Sequence, residues 1–199
     1  MNEQTLRQVF KYFNRLMILM WRLGMGQLIN FWPQVIGRIM VITHTGRKTG
    51  LRRHTPVNYA IVDGDVYCVV GFGPGSDWYR NIQASPQVEV WLPEGWWSGE
   101  AHLSEEVENR SSIMRQILIN SGFAAPLFAG IYAGKISDSE LEMITRSYKL
   151  VRIRRVLPCT GSGGPADLVW VWPTLAHVFL AGWIIKKIFL RRIVRRIVR

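Results

Sequence analysis

Thr55-Pro56-Val57-Asn58-Tyr59-Ala60-Ile61-Val62-Asp63-Gly64-Asp65-Val66-Tyr67-Cys68-Val69-Val70 is the stretch that decides the fold. Its halves, Thr55 to Val62 and Asp65 to Val70, are β-prone, and the Asp63-Gly64 pair between them is the strongest short-range signal for a hairpin turn. An antiparallel sheet follows. Working outward, Arg38 to Thr43 reads as a strand before the hairpin. Gln87 to Leu92 with Ser98 to Leu103 reads as a second antiparallel pair, and Lys149 to Leu157 as a last strand.

Helices flank these strands. From Glu3 to Trp21 the apolar positions Leu6, Val9, Phe10, Phe13, Leu16, Met17 and Met20 recur at three- and four-residue steps with Arg7, Lys11 and Arg15 between them, an amphipathic pattern. Gly24, Gly26 and Pro33 break it. A short helix is expected at Asp77-Trp78-Tyr79-Arg80-Asn81-Ile82, capped by Ser76 or Asp77 and limited by Pro86. Ser104 to Asn120, where Ser104 with Val107 and Glu108 approximates a capping pattern, and Asp138 to Arg146 read as two more. About six short strands with grouped helices predict an α+β, mainly antiparallel fold, a closed or nearly closed barrel rather than a doubly wound sheet.

The 199 residues suffice for one well-buried core, and 25 Lys and Arg against 14 Asp and Glu give a formal charge of +11, pointing to an anionic partner. Seven basic residues, Lys186, Lys187, Arg191, Arg192, Arg195, Arg196 and Arg199, lie in the last fourteen positions; without them the chain carries +4. Cys68 and Cys159 form no disulfide framework, and the N-terminus does not read as a signal peptide, so a reducing cytoplasm is expected. His44, His54, His102 and His177 lack metal-ligand spacing and read as structural, with no metal expected. There is no GxSxG elbow, Walker loop or dinucleotide fingerprint.

The organisation expected is an N-terminal amphipathic helix over 1–30, a barrel domain over 31–158, a linker over 159–167 containing Gly161-Ser162-Gly163-Gly164-Pro165, and a C-terminal helix over 168–199. Leu168 to Ile185 is uncharged and reaches the lower end of a bilayer-spanning length of roughly 17 to 25 residues. Pro173 shortens it, and a span would carry the basic tail outward against the positive-inside tendency. Beyond it, Lys186 to Arg199 alternates basic and apolar residues as a basic amphipathic helix, so attachment to the inner face of the cell membrane is expected, with Trp183, Ile184, Ile185 and Phe189 buried and Trp96 and Trp97 near the interface. A core helix or an element of a homodimer is the alternative. Nucleic acid is not expected, because it would leave the apolar half without a role.

Between Gly46 and Pro56, Arg47, Lys48, Arg52 and Arg53 surround a glycine-bounded turn with hydroxyls at Thr45, Thr49 and Thr55, which suits a phosphate or carboxylate. A strand into Thr43-His44-Thr45-Gly46-Arg47-Lys48-Thr49-Gly50, then Arg53 and Pro56, the hairpin, Asp77-Trp78-Tyr79-Arg80-Asn81-Ile82, Pro86 and a β-run resembles the deazaflavin-dependent nitroreductase and quinone reductase family. The resemblance spans about Arg38 to Leu92. It implies an FMN-binding split-barrel-like fold that binds coenzyme F-420 and uses its reduced form as hydride donor.

Carried over by position, the resemblance implies that Arg47, Lys48 and Arg53 meet the phosphate and glutamate tail, with Thr49 and Gly50 lining the same turn. Pro56 and Val57 would wall the ring, Gly71, Phe72 and Gly73 would approach it through backbone, and Trp78, Tyr79 and Asn81 would pack beside it. Trp78 and Ile82 serve equally well as ordinary core residues. At Gly71 and Phe72 the chain departs from the best-known relatives, which carry a serine-lysine pair there, so fewer side-chain contacts to the cofactor are expected.

The function expected is hydride transfer to an apolar acceptor, a quinone or nitro compound, at a membrane surface, with Tyr79, Tyr132 or Tyr148 as proton donor. FMN is the alternative cofactor. A barrel that binds a lipid without turnover, with Phe72, Trp91 and Trp96 around its cavity, is the non-enzymatic alternative.

Overall fold

The computed structural model describes residues 3–32, 35, 37–71, 73–104 and 109–197, and of 3–7, 128, 129 and 189–197 the backbone alone. Six strands close a barrel in the order β1-β2-β3-β6-β5-β4: β1 Ile39–Thr45, β2 Arg52–Val62, β3 Asp65–Val69, β4 Gln87–Leu92, β5 Gly95–Leu103 and β6 Leu150–Pro158. Every neighbouring pair is antiparallel, and β4 returns to β1 to close the ring. The hairpin turn forms as the sequence predicts: Asp63 (φ 51°) and Gly64 (φ 85°) both take left-handed backbone, which brings Val62 opposite Asp65.

Side chains alternate along each strand, so one face fills the barrel and the other meets helices. Met40 and Ile42 of β1, Val66 and Cys68 of β3, Val88, Val90 and Leu92 of β4, and Val151 and Ile153 of β6 form the interior. The opposite faces of Ile39, Val41 and Trp91 bury Met17 and Trp21 of α1 (Glu3–Arg22). The outer faces of Ala60, Tyr67 and Leu150 bury Ile113, Met114 and Ile117 of α4 (Arg110–Ile119). Trp91 and Trp96, weighed as walls of a ligand cavity, are engaged here instead: Trp91 packs in the α1 cluster beside the His54 ring, and the Trp96 indole donates to Glu89 at 2.9 Å.

The remaining helices are α2 (Gly26–Ile29), α3 (Asp77–Ala84), α5 (Asp138–Thr145) and α6 (Val171–Ile197), with a π-helical turn at Ala125–Ala129. Ser76 occupies the cap position of α3 but makes no side-chain capping bond; its hydroxyl donates to the Gly73 carbonyl at 2.9 Å. Ser137 does cap α5, accepting from Glu140 N–H at 3.2 Å. Helix α4 is shorter than the expected Ser104 to Asn120, and the capping residues Val107 and Glu108 lie outside the described residues.

The glycine-rich segment after β6 is docked rather than loose. Cys159 N–H donates to Trp96 O, Gly164 lies against the Trp96 ring, and Ala166 and Leu168 donate to the carbonyls of Trp21 and Arg22. Asp167 takes a two-pronged bond from the Arg22 guanidinium at 2.8–3.1 Å. Helix α6 then leaves the body with its apolar residues uncovered, Phe179 at 75%, Ile185 at 67% and Trp183 at 58% exposure. Among the described residues no helix is long and apolar enough to cross a membrane.

Met114 is fully buried between α4 and the barrel. Met114→Ala is expected to lower unfolding stability by about 2–5 kcal/mol through lost burial and a residual void, measured by urea titration at pH 7.

Candidate active site

The barrel is split along one strand. Residues 52–58 of β2 pair with β1 on one side, whereas β3 reaches only 59–62 on the other. Pro56, opposite Val41, lies in the part of β2 that β3 does not cover; Tyr59 N–H donates to Arg38 O, and counting back along the antiparallel ladder turns the Pro56 nitrogen away from β1. A proline there leaves no N–H unpaired on the open edge, which explains a proline inside a barrel strand.

Two cavities use that opening. The larger, about 440 Å³, is mainly apolar: Thr55, Pro56, Val57 and Asn58 of β2 line it with Val69, Gly71, Trp78 and Tyr148. Phe10, Phe13 and Asn14 of α1 and Ile117, Leu118, Ser121, Ala124 and Ala125 complete it. The smaller, about 260 Å³, is lined by Gly46, Arg47, Lys48, Thr49, Arg53, Asp77 and Asn81. Both draw on the same two elements: Arg53 and Asp77 line the smaller, Thr55 on β2 and Trp78 on α3 the larger.

The basic turn is held by its own backbone. Gly46 N–H donates to Leu51 O at 2.8 Å, and Gly50, at φ +66°, returns its N–H to Gly46 O at 2.8 Å. Helix α3 grips it from the side: Asn81 Oδ1 accepts from Arg47 N–H at 3.1 Å and from the Arg47 guanidinium at 2.9 Å. Arg47 also pairs with Asp77 at 2.9 Å, and that hydrogen bond holds the Asp77 carboxyl below its usual range.

Behind Asn81 lies His44, 3% exposed, whose Nδ1 is 3.2 Å from Asn81 Nδ2 and whose Nε2 is 3.0 Å from Thr55 Oγ1. Burial, with His54 and Arg53 nearby, pushes the His44 imidazole down to about 4, so it is neutral at pH 7. His54, on the other face of β2, is lowered by burial and the Arg52 charge and is bonded to Thr43 Oγ1 at 2.9 Å.

Of the residues singled out from sequence, Arg47, Lys48, Thr49, Arg53 and Asn81 converge on the smaller cavity, and Pro56, Val57, Gly71, Trp78 and Tyr148 on the larger. Gly50 and Gly73 shape turns and line neither. Tyr79 is buried in the barrel cluster, its hydroxyl accepting from Gln83. Tyr132 is 56% exposed beneath Lys135 and is not brought to the cavities. Phe72 lies outside the described residues. The sequence reading missed the α1 and α4 walls, although the periodicity of α1 marks the stripe that carries Phe10 and Phe13; it named the Thr55 hydroxyl beside the basic turn but took His44 as structural only, whereas the two are bonded to each other at 3.0 Å.

Fold and site together define a split barrel with a basic and an apolar cavity beside its uncovered strand. The sequence pattern described as F420H(2)-dependent quinone reductase matches residues 15–123, more than half of the chain, and the protein belongs to that family. It is a deazaflavin-dependent reductase. No curated protein matches the chain. Among solved structures it is similar to a conserved hypothetical protein of Mycobacterium tuberculosis at 20% identity, covering 76% of this chain and 97% of that one with a TM-score of 0.44. It is also similar to an F420-H2 dependent reductase at 23% identity, covering 58% and 91% with a TM-score of 0.39.

The lowered His44 value fixes the sign of a pH effect. The unfolded chain takes up a proton near pH 6.5 that the folded protein refuses until about pH 4, so this contribution is present above 6.5 and is lost as pH falls. Between pH 7 and pH 4.5 it should remove about 2 kcal/mol. His44→Asn should flatten that limb relative to the parent chain, read from urea midpoints at the two pH values.

Proposed function

We propose that the protein reduces a lipophilic quinone at a membrane surface, with the coenzyme tail in the basic cavity and its ring in the apolar one. The observation that supports this placement is that a basic cavity and an apolar one draw residues from the same two elements, β2 and α3, which suits one ligand with a polyanionic end and a planar apolar end. Arg47, Lys48 and Arg53 supply charge and Thr49 a hydroxyl for the tail. A Cβ built on Gly71 meets no protein atom within 4 Å, so a side chain there would take up cavity space that the bare backbone leaves to the ring.

The reduced coenzyme supplies the hydride; the quinone takes two electrons and one proton with it and needs a second proton to become the hydroquinone. In this reading Tyr148 holds that proton at its hydroxyl. Its backbone is fixed by Arg110, which donates to the carbonyls of Thr145 and Tyr148 at 2.9 Å each. The apolar walls from α1 and α4 exclude water and orient the acceptor against the ring.

Titration with coenzyme F-420, followed by tryptophan quenching, tests the placement. Binding should saturate, weaken as salt is raised, and fall at least about a hundredfold in an Arg47→Ala/Lys48→Ala chain, as expected when two charge-assisted contacts of about 1.5–3 kcal/mol each are lost. Equal affinity in the double variant would remove the tail from this cavity, and tight binding of FMN in its place would move the alternative cofactor forward.

The membrane half of the proposal rests on α6. Lys187 lies over the Trp183 ring at 4.8 Å, so a charge sits beside an uncovered aromatic, an arrangement suited to a bilayer interface. Each Lys or Arg near an anionic leaflet contributes about 1 kcal/mol. The full chain should sediment with phosphatidylglycerol vesicles and much less with phosphatidylcholine, and Phe179→Asp/Trp183→Asp should release it. A protein that ignores both vesicles and forms a dimer by light scattering would assign α6 to a second copy of the chain.

A further inference from the structure

A chain of hydrogen bonds runs from the basic turn to the apolar cavity, and its direction can be worked out. Arg47 can only donate, through its backbone N–H and its guanidinium, so Asn81 presents its carboxamide oxygen to Arg47 and its NH2 to His44. An NH2 group cannot accept, so His44 Nδ1 must. The single proton of the neutral ring is therefore on Nε2, which donates to Thr55 Oγ1. Thr55 is thus an acceptor toward His44 and keeps its own hydroxyl proton to give elsewhere. Among the described residues it makes no other side-chain hydrogen bond, and it is one of the residues lining the larger cavity.

We infer that Thr55 is a hydrogen-bond donor to the ring of the bound cofactor, its polarity dictated by Arg47 through Asn81 and His44. This rests on the placement of the ring in the larger cavity. The acceptor on the ring is a carbonyl oxygen or an unprotonated ring nitrogen, because only these take a hydroxyl proton, and Pro56 and Val57, next to Thr55 on β2, wall the same space. The apolar surroundings strengthen such a bond, and each donor in the chain polarises the next. Thr55 is then a positioning and electronic contact that links the group holding the anionic tail to the group facing the ring. A neutral His44 is required throughout, and burial, His54 and the Arg53 guanidinium all disfavour a second proton there.

The test uses the full chain and coenzyme F-420 in three forms: parent, Thr55→Val and Thr55→Ser. Thr55→Val keeps the shape and removes the donor. It should bind the coenzyme within a few-fold of the parent, shift the absorption band of the bound deazaflavin, and lower quinone turnover by about tenfold, the effect of one hydrogen bond in a dry site. Thr55→Ser should restore both the band and the rate. A Thr55→Val protein with parental spectrum and turnover overturns the inference. Failure of the parent chain to bind F-420 overturns the placement itself, a separable result. Nitrogen NMR of the unliganded parent reads the tautomer without any substitution: a proton on His44 Nε2 at pH 7 is expected, and a proton on Nδ1 breaks the chain of donors and sinks the proposal.

Discussion

Asn81 is buried at 3% exposure, and a carboxamide taken out of water must find partners for both its oxygen and its nitrogen or cost the fold the desolvation of each. It finds them on opposite sides, Arg47 of the basic turn and His44 of β1. The same helix inserts Tyr79 and Ile82 into the cluster that fills the barrel. The position of α3 is therefore fixed from two directions, by apolar packing and by a polar residue with no slack. The basic turn cannot drift from the barrel without orphaning Asn81. The orientation of Arg47, and with it the shape of the anion cavity, depends on this one side chain.

The cavities in turn depend on where the barrel fails to close. A hydrogen-bonded ring of strands normally leaves no edge, but β3 is short and β2 is long, so seven residues of β2 have a partner on one side only. The edge is managed rather than left open. Pro56 removes an N–H, α1 and α4 cover the flanks with apolar side chains, and the connection through Gly71 into α3 stands off far enough to leave a space. A longer β3 would zip the edge shut and fill the site with backbone.

What the sequence made legible follows from how local each signal is. Asp63-Gly64 reports its turn directly, because few other residue pairs tolerate left-handed backbone twice in succession. Strand β1 ran two residues further than its apolar run suggested, to Thr45, because Thr43 and His44 stay buried through partners on β2 and α3 that no neighbouring position announces. The basic turn was visible as charge and glycine; its pairing with Asp77 and Asn81, thirty and thirty-four positions from Arg47, was not. Tyr132 and Tyr148 looked equivalent as hydroxyls, and only the fold separates an exposed ring from a residue lining the cavity. The π-helical turn at Ala125–Ala129 follows no pattern of apolar spacing, so the cavity wall it provides could not be anticipated.

Helix α6 binds the remaining observations together. Its base is fixed to the body by Asp167 on Arg22 and by the Trp172 indole on the Leu23 carbonyl, both at the C-terminal end of α1. The middle of that same helix supplies Phe10, Phe13 and Asn14 to the apolar cavity. The base of α6 is therefore tied to the helix that supplies part of the cavity wall, and the segment after β6 is itself bonded to Trp21, Arg22 and Trp96. On the proposed reading this has a geometric consequence: an anchored α6 fixes the cavity's orientation to the bilayer as well as its distance from it, and an acceptor that partitions into lipid meets the site from a constant side.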